Sequence, residues 1–358
     1  MRYGGRRPVR TAILAITKNG VGIGARLAAE FPGMELHAPK KLSRDGVRAS
    51  WYGESTTAMV GNLFKEYDAL ICVFSLGAVV RLIAAHISDK KTDPAVLVID
   101  DKLNHVISVL SGHIGGANQL ARDIAAKTGA APVITTAADV NQTIAVDLVG
   151  RNLGWVIEDD STVTATSAHM VNGERIGVYQ DAGSLEWWSG PLPKNVIKYD
   201  DIDAMAGSDC RAFLVITDRD DIPVEVQQRG VVYRPPSLVV GVGLHRTTTP
   251  EKIRNEMGAC LAEHNLSRVS VAKIASLKKP APVPGLEDAA KELGIPVVLV
   301  EREKLARMDA PNPSGTVERF EGTPSVSEAA ALLVSGGELV VEKQKFPPDL
   351  TLAVARIP

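Results

Sequence analysis

His113 is the residue whose setting most invites chemistry. It stands in Ser111-Gly112-His113-Ile114-Gly115-Gly116, a tight glycine-rich turn. Imidazole is the side chain that both takes and gives a proton near pH 7. Three glycines let the backbone approach a ligand closely, and the N–H groups at a helix start can face an anion or a developing oxyanion. The plainer alternative, a glycine turn carrying a surface histidine, fits the same six residues.

The elements around this turn form one β-α-β unit. Residues 106–110 are a short apolar run rich in β-branched residues, which reads as a buried parallel strand. A helix is expected over 117–128, with Leu120, Ala121, Ile124 and Ala125 on its apolar face and Gly129 as a left-handed cap. A second strand, 133–136, leads into Thr135-Thr136-Ala137-Ala138-Asp139. Polar residues therefore collect where the first strand ends, the edge at which open α/β sheets bind ligands.

Upstream, residues 11–17 read as a strand that runs through Lys18-Asn19-Gly20-Val21-Gly22-Ile23-Gly24 into a helix ending near Glu30. The glycines do not give GxGxxG, and no acidic residue ends a second strand at the distance a ribose contact requires. A plain strand-to-helix turn is the better reading, with Lys18 and Asn19 expected at the same sheet edge as His113. A helix over 55–67 is capped by Ser55. Residues 69–74 form a buried strand, 78–86 a helix, and 95–99 a further strand. Arg81, near a helix start where a cation is unfavourable, either faces an anionic ligand or is simply solvated. About five strands alternating with helices make a wound, Rossmann-like α/β domain over residues 1–141.

The pattern loosens over 142–235, with short strand-like runs separated by polar turns, and implies a small α+β middle domain. Arg234-Pro235-Pro236 reads as the linker. An α/β pattern resumes over 236–358, with Thr249-Pro250 opening a helix and Gly294 closing another.

Bulk composition narrows the function classes. The 358 residues suit two or three domains, and a hydrophobic content of 45% suffices for packed cores. A formal net charge of −2 without a long basic run argues against nucleic-acid binding. Cys72, Cys210 and Cys260 are far apart and form no CxxC pair, so neither a zinc ribbon nor a disulfide framework is indicated. No stretch approaches the roughly 18 apolar residues of a membrane span, and the expected setting is the cytoplasm.

The residues also carry a resemblance. Gly77-Ala78-Val79-Val80-Arg81, Asp89-Lys90-Lys91-Thr92-Asp93-Pro94, the run LSGHIGGAN at 110–118 and Val133-Ile134-Thr135-Thr136 resemble the cobalt-precorrin-5A hydrolase family of anaerobic cobalamin biosynthesis. So do Gly241-Val242-Gly243, Ala275-Ser276 to Lys278, Pro313-Ser314, the PSVSEAAA run at 324–331 and the closing TLAVAR. The resemblance spans most of the chain and is weakest in the middle. Two places depart from the family. No acidic residue lies between Lys278 and Gly285, and Ala138 stands where the family usually keeps threonine.

The resemblance implies an enzyme that opens the δ-lactone of a cobalt-bound macrocycle and expels the bridging carbon with its methyl as acetaldehyde. No resident cofactor is implied, since cobalt enters with the tetrapyrrole substrate. His113 is then expected as general base and later acid, with the N–H groups of Gly115 and Gly116 as oxyanion donors. Ser111 is a weaker candidate nucleophile because no GxSxG elbow surrounds it. An axial His113–cobalt contact is the alternative role. Substrate contacts are expected from Lys18, Asn19, Arg81, Lys91, Asn118, Thr135, Thr136, Asp139, Ser276 and Lys278. Neighbouring pathway enzymes and a second copy of the chain are the partners to consider. Competing classes are a non-catalytic carrier that hands over the tetrapyrrole, a nucleotide-dependent enzyme using the 20–24 loop, and a methyltransferase that binds S-adenosylmethionine.

Overall fold

The computed structural model describes residues 9–358. The chain divides into two compact units, one ending at Leu148 and one spanning Val149–Pro358. The first unit runs β1 (Thr11–Ala15), α1 (Lys18–Glu30), β2 (Met34–Pro39), β3 (Ser50–Tyr52), α2 (Thr56–Glu66), β4 (Ala69–Val73), α3 (Leu76–Ile83), β5 (Ala95–Ile99), β6 (His105–Leu110), α4 (Ala117–Thr128), β7 (Ala131–Val133) and α5 (Ala137–Val140). Its strands form one sheet in the order β3-β2-β1-β4-β5-β6-β7.

Side-chain alternation explains why this sheet is covered on both faces. Ile13 and Ala15 of β1 pack with Val21 and Leu27 of α1 and with Leu120 and Ile124 of α4. Ala12 and Leu14 face the other way, against Val60, Leu63, Val79 and Ile83 of α2 and α3. Strands buried on both faces read as continuous apolar runs, as TAILA, ALICV and AVLVI do here. The expected caps are in place. Ser55 Oγ accepts from Ala58 N at 3.2 Å, and Gly129 has a φ of 79°.

Two features of this unit differ from the sequence reading. The compact unit continues past residue 141 to Leu148. More consequentially, β6 pairs antiparallel with β5, while β1, β2, β3, β4 and β5 are mutually parallel and β7 is parallel to β6. The β6-α4-β7 crossover exists, with its second strand at Ala131–Val133 and not at the expected 133–136, and it runs opposite to the rest of the sheet. The carboxyl end of β6 therefore lies at the amino ends of β1 to β5.

The second unit contains two sheets. Its first part runs β8 (Val156–Ile157), α6 (Val163–Val171), β9 (Ile176–Gln180), β10 (Val196–Tyr199), α7 (Ile202–Ala206), β11 (Ala212–Ile216), α8 (Val224–Arg229) and β12 (Gly230–Arg234). The strand order is β10-β9-β11-β12-β8, parallel except for β8. Helices alternate with these strands, so the middle domain is wound α/β where an α+β arrangement was expected. Its strands are short and its turns polar, which hid the alternation.

The last part runs β13 (Leu238–Leu244), α9 (Pro250–Glu263), β14 (Val271–Leu277), α10 (Pro284–Leu293), β15 (Val297–Val300), α11 (Arg302–Leu305), α12 (Gly315–Glu321), α13 (Ser327–Ser335), β16 (Glu338–Phe346) and β17 (Leu350–Arg356). Its sheet, β15-β14-β13-β17-β16, combines three parallel strands with an antiparallel hairpin. Thr249 caps α9 through Lys252 N with Pro250 following, and Gly294 ends α10 at a φ of 70°.

The expected linker is a packed joint. Arg234 is buried and bonded to Glu158, Asp220 and the carbonyls of Thr217 and Arg219. No helix among the described residues is long and apolar enough to cross a membrane.

Candidate active site at the rim of the first sheet

The histidine turn is built by close approach. Ser111 takes a φ of 54° and donates its hydroxyl to the Asp93 carbonyl at 3.0 Å, so the loop is tied to the residues just before β5. A Cβ on Gly115 would lie 2.4 Å from Ser111 Cβ and 2.7 Å from Ser111 O. A Cβ on Gly112 would lie 2.7 Å from Asn118 Oδ1. Any larger residue at either position would push the turn off its support.

That support is a polar network around a half-buried imidazole. His113 Nε2 lies 3.1 Å from Asp139 Oδ2, and Nδ1 lies 3.1 Å from Asp147 Oδ1. Asp139 sits on α5, and Asp147 on a single 3₁₀ turn at Val146–Leu148. Asn118, buried on α4, donates to Asp139 Oδ2 at 2.7 Å and to Thr136 Oγ1 at 2.9 Å, and accepts from Ser108 Oγ at 2.7 Å. Arg122, one turn further along α4, pairs with Asp139 Oδ1.

The electrostatics follow from these contacts. An ionised carboxylate only accepts hydrogen bonds, so a ring bonded to carboxylates on both sides donates from both nitrogens. The hydrogen bond to Asp147 is the strongest influence raising the His113 pKa. Burial opposes it, and the charge of Asp147 with the contacts to Asp139 complete the upward shift. Burial alone would raise the Asp139 pKa, but the hydrogen bond and charge of Arg122, then those of His113, hold it below the usual carboxylate range.

The expected residues divide by location. His113, Ser111, Gly115, Gly116, Asn118, Thr136 and Asp139 share this rim. Thr135 is exposed beside them, and Lys91 lies in the 89–94 loop that receives the Ser111 hydroxyl. Lys18 and Asn19 lie at the other rim, because β6 is reversed, and Arg81, expected near a helix start, is in the last turn of α3. There Asn19 Nδ2 bonds Asp101 Oδ2 at 3.2 Å, and Arg81 turns back to its own helix at Gly77 O, 3.1 Å away. The expectation that Lys18 and Asn19 share an edge with His113 is thereby corrected.

Gly116 N donates to His113 O at 3.0 Å, Ala117 N to Ser111 O at 3.2 Å and Asn118 N to Gly112 O at 3.0 Å. The Gly116 amide is thus consumed inside the turn and is not presented as an oxyanion donor. Both ring nitrogens of His113 are likewise engaged, so neither presents a lone pair to a metal in this arrangement. In the second unit, Ser276 is buried and donates to Val242 O at 2.7 Å across β13 and β14, while Lys278 is exposed and pairs with Glu301 at 2.6 Å. Sequence reasoning did not single out Asp147 or Arg122. Arg122 lies four residues after Asn118 on the same helix, a spacing that puts both on one face. Asp147 is joined to His113 across 34 residues and has no local pattern to mark it.

Fold and rim together define a multidomain α/β protein with an acid–base cluster at one edge of its first sheet. Three family models match it in succession: Cobalamin synthesis G N-terminal over residues 58–139, Cobalamin biosynthesis central region over 144–235, and Cobalamin synthesis G C-terminus over 238–355. The chain belongs to this cobalamin synthesis G family. It is 40% identical to a cobalt-precorrin-5A hydrolase of Priestia megaterium over 97% of this chain and 95% of the other. It is 34% identical to a cobalt-precorrin-5A hydrolase of Salmonella typhimurium over 98% and 99% of the two chains. A solved cobalamin biosynthesis protein G homologue from Sulfolobus solfataricus covers 97% of each chain at 22% identity, with a TM-score of 0.39.

Proposed function

We infer that this chain is an enzyme of cobalamin biosynthesis that hydrolyses cobalt-precorrin-5A, opening its δ-lactone and releasing the bridging carbon as acetaldehyde. The observation that carries this is 40% identity to a cobalt-precorrin-5A hydrolase along 97% of the chain, in a family matched in all three segments. Cobalt belongs to the substrate in this reading.

The His113 cluster is the candidate centre for the chemistry. A ring that donates to two carboxylates starts the reaction as an acid, which revises the expected order of base first and acid later. Water adds through oxygen to the lactone carbonyl carbon. The ring C–O bond breaks, its electron pair stays on the leaving oxygen, and that oxygen takes the Nε2 proton of His113. The proton lost by water returns to the cluster through a carboxylate, so one water is consumed and His113 is recharged. The freed hydroxyl on the bridging carbon then gives its proton to the cluster, its O–H electron pair forms the C=O of acetaldehyde, the bond from that carbon to the macrocycle breaks, and the pair of that bond stays on the macrocycle, which takes up a proton. A placed acid or base of this kind is worth about 10²–10⁴-fold in rate. Lys91 and Arg122 stand at the same rim, where their positive charge attracts the carboxylates of the substrate.

Anaerobic incubation of the purified chain with cobalt-precorrin-5A, assayed for acetaldehyde, tests the function. Catalytic release is expected. Tight binding with return of unchanged tetrapyrrole would establish a carrier instead.

A further inference from the structure

We propose that Asp147 is the positioning residue for His113, holding the ring at Nδ1 so that Nε2 carries the working proton. This rests on the reading of His113 as the acid, and it assigns a role to a residue outside the segment matched by the N-terminal family model. That segment ends at residue 139, whereas Asp147 falls in the central-region segment, which begins at 144. In space the division is different, because the first compact unit continues to Leu148 and includes Asp147. The acid–base cluster therefore takes its histidine from one family segment and the Nδ1 partner of that histidine from the next.

The two carboxylates beside the ring are not equivalent. Asp139 is shared among His113, Asn118 and Arg122, with Arg122 on one oxygen and the other two donors on the second. Its negative charge is already met by a guanidinium and an amide, and it pulls weakly on the proton at Nε2. Asp147 faces Nδ1 at 3.1 Å with its side chain largely shielded from solvent. A carboxylate in that place fixes the plane of the ring, stabilises the imidazolium, and leaves Nε2 as the nitrogen from which the proton departs. The charged groups around the ring are Asp139 from α5, Asp147 from the 3₁₀ turn and, acting through Asp139, Arg122 from α4. Ser111 and Asp93 hold the turn from below through a neutral hydroxyl-to-carbonyl bond.

The experiment follows the His113 ring and the reaction separately in the full-length chain. The ring is followed by NMR titration, its signal assigned by loss in His113→Gln. The reaction is followed as the pH profile of acetaldehyde release. Asp147→Asn should move the ring's titration midpoint downward and carry the alkaline limb of kcat with it. At pH 8, kcat should fall by about tenfold or more, while KM stays within about twofold. Asp147→Glu, which keeps the charge, should hold the midpoint raised and recover most of kcat. Should Asp147→Asn fail to fold, the glutamate variant carries the test through its midpoint and alkaline limb, and a downward shift of both in that variant counts against the proposal. An unmoved midpoint in Asp147→Asn, with release abolished in His113→Gln, overturns the role of Asp147 and leaves His113 as the acid. Full release by His113→Gln overturns the reading of His113 itself, and the role of Asp147 with it.

Discussion

The hydroxyl of Ser111 lies 3.0 Å from the carbonyl oxygen of Asp93, and this bond anchors the histidine turn at the amino end of β5. The hydroxyl is the donor and is directed at backbone, while the residue itself sits at a φ of 54°, a conformation that costs a non-glycine residue about 1 kcal/mol or more. Ser111 thus has a structural task, and its nucleophile role can be separated from it. Ser111→Ala should lower stability by about 1 kcal/mol through the lost bond and keep acetaldehyde release within about threefold. Ser111→Gly should be less destabilising, because it relieves the backbone. Loss of release in a folded Ser111→Ala variant would restore the nucleophile reading.

His113 gives a pH signature in stability. Its folded-state pKa is raised above the ordinary value of 6.5, first by the hydrogen bond to Asp147. A raised histidine pKa means that the folded state holds its proton more tightly than the unfolded chain. The stabilisation is therefore fully present below about 6.5 and is lost as pH rises through the higher folded value. Denaturant unfolding of wild type and His113→Gln should differ most at pH 6 and converge at alkaline pH. A constant difference across that range would show that the ring is not a cation in the folded protein.

Legibility in the sequence followed the range of the interaction. The caps at Ser55, Gly129, Thr249 and Gly294 are set by neighbours within a few residues, and they could be read directly. The apolar run 106–110 announces a strand but not its direction, since an apolar strand has the same pattern beside a parallel or an antiparallel partner; only Val106 of the run is fully buried. Pairing with β5 settles that direction, and with it the separation of Lys18 and Asn19 from His113. Asp139 was readable because it ends a continuous β-α-β unit. Asp147 required the chain to fold back after a break, which no periodicity encodes.

A second ion pair makes a different prediction. Asp218 is fully buried after β11, where it accepts from Arg356 at 2.6 and 2.9 Å and from Ser237 Oγ at 2.7 Å. These bonds fasten the end of β11 to β17 and to the start of β13, on either side of the Pro235-Pro236 joint. Arg356 is itself 32% exposed, but removing it strands the fully buried Asp218 carboxylate, at up to about 3–5 kcal/mol. Arg356→Ala should destabilise the second unit by that order, whereas Asp218→Asn with Arg356→Met should recover much of the loss. Hydrogen exchange at β11 and β17 is the measurement, and unchanged protection in Arg356→Ala would refute the fastening.

Glu328 carries the last prediction. PSVSEAAA reads as a helix start with an acidic residue in its first turn, a setting that normally implies a solvated carboxylate near the helix dipole. In the fold Glu328 has no exposed surface and is an anchor for the 311–315 loop. Its carboxylate accepts from Asn312 N at 3.1 Å, Asn312 Nδ2 at 2.8 Å, Ser325 Oγ at 3.2 Å and Lys343 N at 3.1 Å. Two of those donors are backbone amides that cannot turn away to another acceptor. Deleting the carboxylate leaves them unsatisfied at about 1–3 kcal/mol each. Glu328→Ala should therefore cost about 3–5 kcal/mol in urea unfolding. Glu328→Gln should fall between that variant and wild type, because one of its two ends still accepts while the other presents N–H to donors. A loss below about 1 kcal/mol in Glu328→Ala would mean that water replaces the carboxylate, and that the loop is held by Lys343 and Glu342 through Asn312 alone.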